Sequence, residues 1–290
     1  MSVVQSGSPL AARRRLGQEL RLLRDNAGKT TEEVGAHLNC HNSKISRLEL
    51  GKRACTERDF EALMDFFDVD REKYHELREL MVRGRQRVPP WWHAYNDVIS
   101  ANYAEFLAYE AEAASCFEYQ PILIPGLLQT AEYAHAVTGV SFTALGPDQV
   151  EGLVEVRMGR QARLRDDAPL NLEAMVTEAA LRFNVGGDDV MRAQLRRLKK
   201  VAELDNVSLR VLPFSAGEKA ATTGAFTLFS SGKDADIDAA FTESADNTSH
   251  FRDDKLALRQ LSRLFRNLTS AAMTEEASIE LVDRIEKERD

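Results

Sequence analysis

A short polar segment near the N-terminus carries side chains that suit contacts with nucleic acid. The amide of Asn42 has the donor and acceptor that pair with adenine, the guanidinium of Arg47 matches guanine, and the hydroxyl of Ser43 can bond to either base. The candidate DNA-contacting residues are Thr31, His41, Asn42, Ser43, Lys44, Ser46, Arg47, Lys52 and Arg53. Of these, Lys52 and Arg53 are expected to hold the phosphate backbone.

Two short helices joined by a tight turn are predicted to position these side chains. Thr30 and Glu33 have the spacing of a capping box, in which each side chain satisfies a backbone amide at the start of a helix. Asn39 is expected in the turn, because asparagine tolerates left-handed backbone angles better than other residues that have a side chain. Gly35 is small where the two helices are expected to cross. The apolar residues that would lock the helices together are Val34, Leu38, Ile45 and Leu48. This arrangement predicts a helix-turn-helix.

The segment from Thr30 to Gly51, TTEEVGAHLNCHNSKISRLELG, resembles the Xre-type, or lambda-repressor-like, helix-turn-helix family. The resemblance covers Leu10 to about Leu80. It implies a DNA-binding domain that docks Asn42 to Leu50 in the major groove, with the asparagine, serine and arginine named above at base-reading positions. By the same motif, Thr31 takes the place of a glutamine that contacts a phosphate and braces the first residue of the recognition helix.

Three positions of this motif are also expected to have structural roles. Glu49 matches the family's buried or half-buried acid after the second helix, and we expect it to pair with Arg21 or Arg24. His41 stands where the family has a serine or threonine cap, and Asn39 stands where it has a glycine. The resemblance therefore implies that both residues keep those local roles.

The composition of the chain excludes several classes of protein. Its 290 residues are 43% apolar and 29% charged, which is enough for a sizeable core and two domains. No apolar run approaches the ~20 residues that cross a bilayer, and the polar N-terminus does not match a secretory signal. The three cysteines form no CxxC pair, so a disulfide framework is not predicted and a cytoplasmic location is expected. We expect no cofactor, no metal and no enzymatic activity, because the common catalytic and phosphate-binding motifs are absent from the sequence.

The charge is distributed unevenly along the chain. The net charge of −8 combines +3 over residues 1–88 with −11 over residues 89–290. Only the N-terminal part is therefore expected to meet a polyanion such as DNA.

Helix and turn signals divide the chain into four regions. These are a disordered tail (1–9), an all-α helix-turn-helix domain (10–82), a linker (83–92) and an α+β domain (93–290). In the linker, Arg83, Arg85 and Arg87 alternate ahead of two prolines, which favours a solvated hinge over an arm that follows a DNA groove. Short strands expected near residues 207–212, 224–230 and 237–242 predict a small, mostly antiparallel sheet in the C-terminal domain.

The C-terminal region resembles DUF5753, a domain of unknown function in a large family of actinobacterial regulators. Five blocks carry the resemblance in order, within residues 91–268: Tyr119–Ala134, Thr177–Arg182, Met191–Leu195, Val211–Phe214 and Gly224–Leu228. The resemblance implies a regulator that is often encoded beside a small acidic partner protein. It does not imply a known ligand.

Together these features predict a sequence-specific DNA-binding transcriptional regulator. One helix-turn-helix reads only a few base pairs, so we expect a homodimer on an inverted repeat in double-stranded DNA. The C-terminal domain is expected to bind a small protein partner or a ligand. An adaptor whose helix-turn-helix contacts only protein is the alternative, and DNA binding would differ from it by a steep dependence on salt.

Other groups of residues admit a second interpretation. His37, Cys40, His41 and Cys55 have metal-binding side chains, but a buried thiol and a helix cap explain their positions better. Glu178 and Glu243 follow or end strands and could form a catalytic pair, although hydrogen-bonded strand-end acids are the favoured interpretation. The aromatic residues at near-helical spacing, favoured as core and alternatively lining a ligand pocket, are Tyr103, Phe106, Tyr109 and Phe117.

Overall fold

The computed structural model describes residues 9–51, 53–86, 89–140, 145–219, 224–231, 237–244 and 249–289. The chain divides into two compact units, Met1–Trp91 and Trp92–Asp290. Of the tail expected at residues 1–9, residues 1–8 lie outside the described part, and Pro9 begins the first helix. None of the described helices is long and apolar enough to cross a membrane.

The first unit is all-α in its described residues, as the sequence predicts. Its helices are α1 (Pro9–Asn26), α2 (Thr31–His37), α3 (Asn42–Glu49), α4 (Glu57–Phe66) and α5 (Arg71–Gly84). Their apolar faces meet in one core that buries Leu16 of α1, Phe60 of α4 and Leu77 of α5.

The end of α5 extends into the region expected to be a linker. The helix continues to Gly84, and the guanidinium of Arg85 lies 3.2 Å from the carboxylate of Glu57 in α4. Arg85 is solvent-exposed and therefore forms a surface ion pair with the first unit. Arg87 lies outside the described residues.

The helix-turn-helix has the local features that its sequence predicts. Thr30 Oγ1 accepts a hydrogen bond from the backbone N–H of Glu33 (3.2 Å), and Glu33 Oε2 accepts one from the backbone N–H of Thr30 (2.8 Å), which confirms the capping box. Asn39 has a φ of 51°, which confirms a left-handed residue in the turn. A Cβ at Gly35 would lie 2.9 Å from the carbonyl oxygen of Cys40, so the turn packs directly on the backbone of α2.

A second glycine, which the sequence analysis did not single out, lets α1 cross the end of α3. A Cβ on Gly17 would overlap the carbonyl oxygens of Leu48 and Glu49, and its distance from the Leu48 oxygen would be 2.6 Å. Only a hydrogen atom fits at this contact.

The second unit surrounds one sheet with helices. Its helices are α6 (Ala101–Glu112), α7 (Ala131–Gly139), α8 (Pro147–Arg160), α9 (Glu178–Arg182), α10 (Asp188–Val201), α11 (Lys255–Ala271) and α12 (Glu275–Lys287). Its strands are β1 (Ser115–Gln120), β2 (Asn171–Thr177), β3 (Val207–Leu212), β4 (Phe226–Ser230), β5 (Ala239–Glu243) and β6 (Ser249–Arg252).

The sheet is mixed and has six strands, so the prediction of a small, mostly antiparallel sheet is wrong. The strand order is β3-β2-β1-β4-β5-β6. β1, β2 and β3 pair in parallel, and β4, β5 and β6 extend the sheet in antiparallel pairs. The parallel pairs arise because helices connect β1 to β2 and β2 to β3. Such a helical crossover returns the chain to the end of the sheet where the previous strand began, so the next strand runs in the same direction.

Both faces of the sheet are covered. Helices α6, α7, α10 and α12 bury apolar side chains against one face, including Tyr133, Leu195 and Val282. Helix α11 packs on the opposite face through Phe265 and Leu268. This double cover explains why inward-facing polar residues of the central strands are buried.

Because α1 and α3 cross closely at Gly17, an alanine there is expected to lower the stability rather than raise it. Alanine normally stabilises a helix by about 0.5–1 kcal/mol relative to glycine. Gly17→Ala is expected instead to destabilise the first unit by about 1–3 kcal/mol, because the new methyl group overlaps backbone oxygens. Denaturant unfolding of the full chain, followed by circular dichroism, measures the change. Gly139→Ala in α7 is the control, because no described atom lies within 4 Å of its Cβ position. Equal effects of the two variants would contradict the close crossing.

The left-handed angle of Asn39 predicts opposite results for two substitutions. Asn39→Gly should be tolerated or slightly stabilising, because glycine enters this region freely. Asn39→Val should lower the melting temperature of the first unit by several times any change that Asn39→Gly causes, since a β-branched residue resists a positive φ. Identical melting curves for the two variants would show that the turn does not require this backbone angle.

Candidate nucleic-acid interface

One face of α3 is exposed and polar, and the opposite face is buried. Ile45 and Leu48 are each 3% exposed and belong to the core of the first unit. Ser43 and Arg47 lie one turn apart on the exposed face. The Nε of Arg47 donates to the carbonyl oxygen of Ser43 (3.0 Å), which directs the guanidinium along the helix surface. Two of the three expected base-reading residues therefore share one accessible face.

The third expected base-reading residue, Asn42, is held by an acid that the sequence analysis missed. The amide nitrogen Nδ2 of Asn42 donates to Glu32 Oε1 of α2 at 2.5 Å. This hydrogen bond is the largest cause that holds the pKa of Glu32 below its usual value. Thr31 Oγ1 donates to the other oxygen of Glu32 at 3.2 Å. Thr31 and Asn42 therefore contact the same carboxylate, and the bracing role that the resemblance implies for Thr31 stays a prediction.

His41 caps the recognition helix. Its Nδ1 accepts a hydrogen bond from the backbone N–H of Ser43 (3.2 Å) and lies 3.0 Å from the Ser43 hydroxyl. The expectation that His41 replaces a serine or threonine cap is confirmed. This contact fixes the first turn of α3, where two of the residues predicted to read bases lie.

Lys44 points towards the protein. Its ammonium lies 2.7 Å from Asp59 of α4, and the two side chains are 20% and 10% exposed. Burial raises the pKa of Asp59, but side-chain hydrogen bonding with Lys44 and Thr56 outweighs burial and holds that pKa below its usual value. Lys44 therefore anchors α3 to α4 in this structure.

The remaining candidates surround the end of α3. Ser46 is half-buried and Arg53 is exposed. The backbone N–H of Arg53 donates to the carbonyl oxygen of Arg47 (3.1 Å), which keeps the segment after the helix beside its last turn. Lys52 lies outside the described residues.

An ion pair joins α1 to the end of α3. Arg24 Nε lies 2.6 Å from Glu49 Oε1, and Nη2 donates to Oε2 at 3.0 Å. The side chains are 13% and 9% exposed, and the hydrogen bond that Arg24 donates to Glu49 is the largest cause that raises the pKa of Arg24. The sequence left Arg21 and Arg24 as alternatives, and the structure selects Arg24.

The residues considered for a metal site have other roles. The ring of His37 lies 4.3 Å from that of Phe66, and His41 caps α3. Burial raises the pKa of Cys55 to about 12, which disfavours its thiolate. No group of three or more His, Cys, Asp or Glu side chains is placed to hold a metal ion within the described residues.

The two strand-end acids considered as a catalytic pair lie apart. Glu178 follows β2 and Glu243 ends β5, and these strands are three positions apart in the sheet, about 14 Å. Glu178 accepts hydrogen bonds from Arg182 (2.7 Å) and from the backbone N–H of Phe214 (3.0 Å). The sheet therefore does not assemble this pair.

Comparison with known protein families agrees with the two units. A helix-turn-helix domain family matches residues 15–77, and a domain of unknown function, DUF5753, matches residues 103–284. Neither a curated protein nor a solved structure matches the chain. Because the second match spans more than half of the chain, the protein belongs to the DUF5753 family and carries a helix-turn-helix domain ahead of that domain.

Proposed function

We propose that this protein is a sequence-specific DNA-binding transcriptional regulator that acts in the cytoplasm. The observation that carries the proposal is the exposed face of α3, where Ser43 and Arg47 stand beside the braced Asn42. The match to a helix-turn-helix domain supports the same function.

The geometry of these side chains suits contacts in the major groove. Asn42 uses one amide hydrogen on Glu32, so its second amide hydrogen and its carbonyl oxygen remain for the adenine edge. Arg47 uses Nε on Ser43, so both terminal nitrogens remain for a guanine. Arg53, exposed just after the helix, is placed to contact a phosphate.

Charge favours docking through the N-terminal unit. Residues 1–88 carry a net +3, whereas residues 89–290 carry −11 and repel phosphate. The C-terminal domain therefore acts on DNA binding indirectly, by binding a ligand or a small partner protein. The small acidic partner implied by the family resemblance is one such candidate.

Arginine substitutions distinguish base reading from phosphate contact. The DNA is first selected from a random duplex pool with the full-length protein. Arg47→Ala is expected to lose about 1–3 kcal/mol of binding free energy and to relax one base position. Arg53→Ala should weaken all sequences about equally and reduce the salt slope by about 1. Titrations over single-base variants at several salt concentrations measure both effects.

Arg259→Ala is the matched control for these titrations. Arg259 is an exposed arginine of α11, so its removal changes the net charge by the same amount without touching α3. It should leave affinity and specificity unchanged. Uniform loss over all sequences with Arg47→Ala would refute its base-reading role, and salt-independent binding would favour an adaptor that contacts protein.

We further propose that the protein binds DNA as a homodimer on an inverted repeat. A single helix-turn-helix contacts too few base pairs to define a genomic site, and paired half-sites lie ~34 Å or a multiple apart. Light scattering should therefore give twice the chain mass of 32.5 kDa, and footprints should have two-fold symmetry. A single-chain mass together with an asymmetric footprint would refute the proposal.

A further inference from the structure

Buried polar side chains cluster in the second unit at the carboxyl end of β1. Glu118 and Gln120 project to the same face of the sheet as Cys116, because side chains alternate along a strand. The Nε2 of Gln120 lies 3.2 Å from Glu118 Oε1 and 3.3 Å from Glu243 Oε1. One amide group thus bridges two carboxylates that come from β1 and β5.

The nearest buried arginine is already paired with another acid. Arg160 of α8 donates from Nε and Nη2 to the two carboxylate oxygens of Glu110 in α6, at 2.8 and 2.6 Å. Its Nη1 donates to the hydroxyl of Tyr103 (3.2 Å). Within the part of the chain that the structure describes, Glu118 and Glu243 have no ion-pair partner of their own.

Glu118 is an incomplete hydrogen-bonding group. Its side chain is only 4% exposed, and its Oε2 has no hydrogen-bond partner among the described residues. Burial raises the pKa of Glu118 to about 7, although the positive charge of Arg160 acts to lower it. Glu243 of β5 and Glu110 of α6 also face it and act in the same direction as burial. A buried acceptor of this kind is uncommon, because most are satisfied by protein, water or a ligand.

The sheet topology places this acceptor where open α/β sheets bind ligands. The chain passes from β1 to β2 and β3 on one side, and then crosses to β4 on the other side of β1. Such sheets bind ligands at the carboxyl ends of strands beside the reversal of strand order. The segment that follows β1 reaches the surface at Ile122, which is 51% exposed.

The residues around Glu118 indicate which class of ligand its carboxylate would bind. Phe241 lies in the same cross-strand row as Glu118, separated by Thr227, and its ring is 5.1 Å from that of Phe106. The guanidinium of Arg160 already lies 4.8 Å from the centre of the Phe106 ring, so aromatic rings beside carboxylates hold an organic cation in this domain. A metal ion fits less well, since the described residues hold no group of three His, Cys, Asp or Glu side chains suited to one.

We propose that this cluster binds an organic cation, an amine, amidine or guanidine, whose N–H groups replace the Gln120 amide between Glu118 and Glu243. The inference deepens the proposed function by naming the ligand class of the sensing domain, and in its regulatory meaning it rests on that function. The binding itself involves only residues of the second unit.

The proposal is tested on the full-length protein without DNA. Butylamine, benzamidine and methylguanidine are the probes, with butyrate as the anionic control, and thermal shift and isothermal titration are the measurements. At pH 8 at least one cation should bind saturably and raise the melting temperature, whereas butyrate should not. Its affinity should fall as the pH drops below about 7, because Glu118 then loses its charge.

Glu118→Gln should weaken binding of that probe at least tenfold. Glu173→Gln is the matched control, since Glu173 is exposed on β2 and lies on the opposite face of the sheet, and it should bind as the unmodified protein does. Absence of binding by every cation, or equal binding by Glu118→Gln, overturns the proposal.

Stability measurements keep the test informative if a variant binds nothing. Ligand-free Glu118→Gln should melt higher at pH 8, because it removes a buried charge. Gln120→Lys should also melt higher and no longer bind the probe, since it places an ammonium between the two carboxylates. Unfolding of Gln120→Lys, or undiminished probe binding by it, counts against the site.

The test separates failure of the ligand site from failure of DNA binding. Probe binding is measured without DNA, and operator affinity is measured separately with and without the cation. If the protein binds a probe but no DNA, the proposed function is refuted and the ligand site is not. If it binds DNA but no probe, the ligand site is refuted and the proposed function is not.

Discussion

The backbone of α1 at Gly17 approaches the end of α3 so closely that a methyl group would overlap two carbonyl oxygens. The orientation of the recognition helix depends on this contact. An eight-residue helix is not stable alone in water, so its direction is set by what it packs against. With α1 this near, Leu48 enters the core and Glu49 reaches Arg24. The side chains of Ser43 and Arg47 are then left on the outside.

This anchoring has an electrostatic consequence for DNA binding. Lys44 and Arg24 are basic, but each has an acid within 2.7 Å that neutralises much of its field. The positive charge that can displace counterions from DNA is therefore smaller than a count of lysines and arginines indicates. In the proposed complex with DNA, few phosphate contacts for each chain would make non-specific binding weak. Specific contacts and pairing of two chains would then carry a larger share of the affinity.

The sequence predicts local features better than long-range ones, and particular residues show why. The capping box at Thr30, the left-handed Asn39 and the cap at His41 each depend on residues a few positions apart, so their types were sufficient evidence. Glu32 was missed because its partner Asn42 is ten residues away, and nothing in the motif links them. Gly17 did carry a signal, since a glycine inside a helical pattern usually has a packing reason.

The mixed sheet was missed for a similar reason. β1 places Glu118 and Gln120 on its inward face, so it lacks the apolar alternation by which a strand is identified. Without β1 the parallel pair of β1 and β2 could not be recognised, and that strand also joins the parallel half of the sheet to the antiparallel half.

A hydrogen bond from a ligand to the inward polar residues of β1 could supply enough free energy to change DNA affinity in the proposed regulator. A ligand changes DNA affinity only as far as it binds the DNA-competent and DNA-incompetent forms unequally, and a tenfold change requires about 1.4 kcal/mol. A hydrogen bond to a charged group contributes about 1.5–3 kcal/mol, and Glu118 has one oxygen that lacks a partner among the described residues. Completing that bond in one form of the protein and not in the other would shift DNA affinity by an order of magnitude. Under the proposed function, the carboxylate that makes β1 hard to recognise in the sequence is thus also the group whose ligand would change DNA affinity.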